Sequence, residues 1–105
     1  MDDQSIRDMF AGLGAVAIRK MFGGKGIYHQ GLIVGLEVDG EILLKADKQS
    51  APDFEANGST QWTYDGKKKP IAMPYWSIPD AALDDPDELT VWVRKAFEAA
   101  RRAET

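Results

Sequence analysis

The segment RKMFGGKGIY, residues 19–28, brings together the residue types most suggestive of chemistry. Glycines 23, 24 and 26 interleave with Lys25, and Arg19 and Lys20 stand just upstream. A phosphate cradle uses such glycines so that backbone N–H groups can converge at a helix N-terminus. That reading needs a third glycine where His29 stands, or a Ser or Thr after Lys25 where Gly26 stands. It also needs a helix to follow, whereas the residues after Gly26 carry a strand pattern. The glycines are therefore expected to serve shape, through a bulge, a strongly bent strand, or a close backbone approach.

The other reactive side chains form no constellation. His29 is the sole histidine and the chain has no cysteine, so the usual nitrogen or sulfur zinc set is excluded, and a disulfide with it. Beside a turn, His29 is expected to be exposed. Ser5, Ser50, Ser59 and Ser77 all lack a G-x-S-x-G context. Asp80, Asp84, Asp85, Asp87 and Glu88 lack the spacing and glycine of a calcium loop, and they suit capping and solvation instead. No catalytic, cofactor or metal site is expected, and the chain is read as non-enzymatic.

A binding surface is the remaining candidate. Arg19, Lys20, Phe22, Lys25, Tyr28, Lys45, Tyr75 and Trp76 are the residues from which a basic-aromatic patch could be built, beside the shape-setting Gly23, Gly24 and Gly26. Half of the large residues on alternating strands must face the core. A concave pocket lined by Arg19, Tyr28 and Lys45 would favour a small ligand or a reaction, and a flat apolar patch would favour a protein partner. The net charge of −4 argues against a firm grip on nucleic acid, although Arg19, Lys20 and Lys25 and the run Lys67 to Lys69 leave weak DNA binding as an alternative.

The elements that must position these residues are legible from periodicity. Ile6, Met9, Phe10 and Leu13 mark one apolar helical face over about residues 4–13, and 15–18 read as a connector. Residues 20–47 read as a three-stranded antiparallel meander turning at Gln30-Gly31 and at Asp39-Gly40. A short helix capped by Ser50 and closed by Gly58 follows. Two strands, 61–64 and 70–76, then flank a turn at Asp65-Gly66. Asp85, Pro86 and Glu88 announce the last helix, with Leu89, Trp92, Val93, Ala96, Phe97 and Ala100 along its apolar stripe. The expected fold is α+β, a two-layer sandwich in the order α-β-β-β-α-β-β-α, with helices on one face of a five-stranded antiparallel sheet. Its 105 residues form a single domain, 1–105, with no apolar run long enough for a membrane span and a cytoplasmic setting expected.

In combination, M-F-G-G-x-G-x-Y, the strand-ending Lys45, Y-W-x-I-P at 75–79 and the terminal LTVWVRKAFEAA resemble the N-terminal domain of the TfoX/Sxy proteins, from about Ile6 to Ala100. The resemblance implies a fold similar to type III secretion chaperones. It further implies a regulatory role in transformation competence, exercised with a protein partner such as the transcription machinery or the cyclic-AMP receptor protein. The chain looks like a stand-alone N-terminal domain without the family's C-terminal one. Whether it forms a homodimer stays open.

Overall fold

Two tight turns organise the centre of the sheet. Gln30 and Gly31 have φ of 51° and 80°, and Asp39 and Gly40 have 52° and 83°, so both central residues of each turn are left-handed. This twist matches that of the flanking strands and joins them as hairpins without splaying. In the computed structural model, described over residues 1–21, 23–65 and 68–104, strands β2 (Gly24–His29), β3 (Leu32–Val38) and β4 (Glu41–Lys45) form the expected meander. β5 (Gln61–Asp65) and β6 (Pro70–Ser77) form the second hairpin. The expected Asp65-Gly66 turn lies outside the described residues, as do Phe22 and Lys67.

The sheet has six strands, not five. Residues expected to be a connector form β1 (Ala17–Met21), paired antiparallel with β2 from Ala17↔Tyr28 to Met21↔Gly24. β1 is mostly exposed, with only Ile18 packed against the core, so it carries little apolar alternation to announce itself. The strand order is β1-β2-β3-β4-β6-β5, all neighbours antiparallel.

The helices are α1 (Asp3–Met9), α2 (Ala51–Ala56), α3 (Asp80–Leu83) and α4 (Pro86–Ala103). The four-residue α3 was not foreseen, and α1 ends earlier than its apolar spacing predicts, at Phe10. Asp85 caps α4 by accepting from the N–H groups of Asp87 and Glu88, at 3.0 and 3.3 Å. Ser50 sits at the α2 cap position but its hydroxyl makes no cap bond; it accepts from Asp47 N–H instead, at 3.1 Å.

All four helices cover one face of the sheet. Ile6, Phe10, Phe54, Ala82, Leu89, Trp92, Val93 and Ala96 meet the strand residues Ile27, Val34, Ile42, Leu44 and Trp76 in one core cluster. Phe54 stands 4.8 Å from Trp92 and 6.3 Å from Trp76, ring centre to ring centre. Lys95 pairs with Asp53 across α4 and α2, at 3.1 Å. Arg102 grips Asp47 through two bonds of 2.6 and 3.0 Å, tying the end of α4 to the chain beyond β4. The Arg102 guanidinium holds the Asp47 carboxyl down at about 2.

Candidate functional site

The second face of the sheet has no layer over it. Strand alternation and pairing place Arg19 and Met21 of β1, Tyr28 of β2, Ile33, Leu36 and Val38 of β3, Leu43 and Lys45 of β4, and Ile71, Met73 and Tyr75 of β6 on that side. Trp62 and Tyr64 of β5 join them, ring edge against ring face at 6.3 Å. Leu43 and Tyr75 are buried here, yet they stand outside the helix-side cluster.

This face is a trough. A groove of ≈ 410 Å³ is lined by Met21, Ile33, Leu36, Val38, Trp62, Tyr64, Met73 and Tyr75. Met21 is on β1 and Tyr64 on β5, the two edges of the six-stranded sheet. Residues of opposite edges can border one groove only if the sheet curls strongly, because flat strands at about 4.8 Å spacing would hold those edges more than 20 Å apart.

The glycines of the opening motif make this curl sterically feasible. A methyl group at Gly24 would run into the Glu37 carbonyl oxygen of the paired strand, and one at Gly26 would stand 2.7 Å from Met21 Sδ. Met21 thus lies down over Gly26. Gly23 has φ of 70° with open space around it, the left-handed backbone that leads β1 into β2. The register passes from Ile27↔Gly35 to Tyr28↔Ile33, so β3 carries Val34 as an extra residue and bends there.

The eight predicted surface residues divide. Four share the open face: Arg19 lies over the Tyr28 ring at 5.3 Å, and Lys45 over the Tyr75 ring at 5.5 Å. Burial pushes the Tyr75 hydroxyl up, and the nearby Tyr28 adds to the shift. Lys20 alternates to the other side, with Ile18, at the β1 edge. Lys25 turns toward α1, donating to Asp3 Oδ1 at 2.7 Å and to the Met1 carbonyl at 3.0 Å. Trp76 is a correction: it is 8% exposed and packs among the helices. Phe22 is outside the described residues.

His29 is a second correction. It is not an exposed turn residue but buried, with Nδ1 2.8 Å from the Ala15 carbonyl oxygen and its ring edge-on to Phe97 at 4.8 Å. It fastens the start of β1 to α4. Arg19 and Tyr28 border a shallow hollow of ≈ 380 Å³ with Ala15 to Ala17, and Lys45 lines a different one beside Asp47 and Arg102. The three-residue ligand pocket considered from the sequence is therefore not assembled among the described residues. Trp62, Tyr64, Leu36 and Ile71 were missed as surface candidates. Their signal was present, since Trp62 and Tyr64, like Ile71, Met73 and Tyr75, recur at a spacing of two.

The structure defines a two-layer α+β domain whose sheet keeps one apolar, concave face open. The chain matches the TfoX N-terminal domain over residues 8–100 and belongs to that family. No curated protein matches it. Among the described residues no helix is long and apolar enough to cross a membrane.

Proposed function

We propose that this protein is a non-enzymatic regulatory module that docks a protein partner on the open face of its sheet, in the cytoplasm of a bacterial cell. The observation that carries the reading is the exposure of Met21, Tyr64 and Ile71, at 44, 57 and 49%, around a continuous apolar trough. Large apolar side chains left in water beside one another mark an interaction site. Aromatic residues and methionine are also the types that supply binding energy at protein interfaces. Family membership supports a regulatory role, and action in competence through the transcription machinery belongs to the same proposal.

The test is capture of partners from native lysate by the wild-type protein and by the double variant Met21→Ala, Tyr64→Ala. Both side chains are well exposed, so the variant is expected to fold normally and to lose the retained protein by roughly tenfold or more. Equal retention by the two proteins overturns the assignment to this face. A labelled duplex, followed by fluorescence anisotropy, separates this reading from direct DNA binding. Proteins with a proper basic face bind duplex nonspecifically at about 10⁻⁴ to 10⁻⁶ M at physiological salt. This acidic chain is expected to show no binding at micromolar protein, and sequence-selective micromolar binding that survives physiological salt would make it a DNA-binding regulator.

A further inference from the structure

We infer that the occupant of the trough is an amphipathic helix of another protein, with apolar side chains on the floor and carboxylates flanking them. The inference rests on the docking reading above and adds the chemistry of the partner. Charge complementarity carries it. The chain is net −4, yet the charged side chains placed on the open face by strand pairing are the cations Arg19 and Lys45, each over a tyrosine ring. Glu37 alternates to the helix side, where it receives the terminal ammonium of Met1 at 3.1 Å, and Glu41 borders a separate hollow with Met9 and Leu83. The remaining carboxylates stand on helices, turns and strand ends. An acidic partner is drawn to this face and repelled by the others, which fixes where it lands.

Shape selects a helix. A strand added at β1 or β5 would pair the edge backbone but leave Leu36, Met73 and Tyr75 uncovered. A helix about 10 Å across fits a concave trough bordered by both edges, and it supplies the layer that the sheet lacks on that side. Met21 and Met73 give the walls flexible side chains that can adapt to different apolar partners. A second copy of this chain fits less well. It would bring a second Arg19 and Lys45 onto a face that already holds two cations, with no carboxylate of that face to meet them.

The experiment uses the isotopically labelled full chain and synthetic peptides of about 18 residues, about 27 Å as a helix. One peptide carries leucines on one helical face flanked by glutamates, a second has lysines in place of the glutamates, and a third scrambles the leucine order. The glutamate peptide is expected to shift the resonances of Leu36, Val38, Trp62, Tyr64, Met73 and Tyr75. The lysine peptide should bind at least about tenfold more weakly, two rim ion pairs being replaced by repulsion. Arg19→Gln with Lys45→Gln should remove most of that difference while leaving the spectrum of the free protein folded. Equal affinity for the glutamate and lysine peptides, with shifts in the trough, overturns the charge inference and leaves the docking reading standing. Equal binding of the scrambled peptide overturns the helical occupant. If no peptide shifts the trough while sedimentation shows a dimer that perturbs the same residues, a second copy is the occupant and the inference fails. If no peptide shifts the trough and the protein stays monomeric, the inference fails as well. The docking reading then falls only if lysate capture is also indifferent to the Met21→Ala, Tyr64→Ala variant.

Discussion

Replacing Gly24 with alanine tests the steric basis of the trough. A Cβ at Gly24 would sit closer to the Glu37 carbonyl oxygen than the 3.0 Å that real Cβ atoms observe. That oxygen is main chain, in a strand paired with β2 at Lys25↔Glu37 and Gly24↔Val38, so it cannot swing aside as a side chain would. The strands must part at the point where Met21 folds over the sheet. Overpacking against a fixed neighbour costs about 1 to 3 kcal/mol, and ladder bonds are strained as well, so about 3 kcal/mol is expected. With a urea slope of about 1 kcal/mol per M, the midpoint should fall by about 3 M. Gly23→Ala meets no atom within 4 Å and carries only the left-handed backbone cost, about 1 kcal/mol at φ of 70°. Gly26→Ala meets the flexible end of Met21, which can move, so its cost should be under about 1 kcal/mol. The order of urea midpoints, read by tryptophan fluorescence and by circular dichroism, is the assay. A Gly24→Ala midpoint equal to wild type, or a smaller loss there than at Gly26, refutes the close-approach argument.

Trp92→Ala should destabilise by about 3 to 5 kcal/mol, because the indole is 5% exposed and packed on Phe54, a loss large enough to unfold much of a domain of this size. Strong iodide quenching of fluorescence assigned to Trp92 in the native protein would contradict that burial. Asp47, held at about 2 by Arg102 against an ordinary 3.8, gives stability that is complete above about pH 4 and is lost as pH falls toward 2. The shift corresponds to about 2.4 kcal/mol at most, and partial exposure of the pair reduces the expected effect to about 1 kcal/mol. Asp47→Asn should therefore flatten the acid limb of a stability-against-pH curve, and an unchanged limb would show that the pair contributes nothing.

Where the chain made short-range commitments, the sequence was sufficient. Gln30-Gly31 and Asp39-Gly40 set their hairpins through left-handed residues, Asp85 and Pro86 started α4, and the stripe from Leu89 to Ala100 named the helix face that is buried. Each depends on neighbours a few residues away, and local rules suffice for that. Only the tertiary structure decided the fates of β1, His29 and Trp76. β1 exists because β2 offers it an edge, despite a nearly all-exposed pattern that gives no periodic signal. His29 is buried because Ala15 and Phe97, distant in sequence, close over it. Tyr75 and Trp76 are adjacent and similar in size, and alternation alone dictates that they part to opposite faces. Which face received the helices depended on packing every element at once. The same packing brought Met21 and Tyr64, at the two edges of the sheet, to one groove, since curvature accumulates over all the strands and is written in no single one.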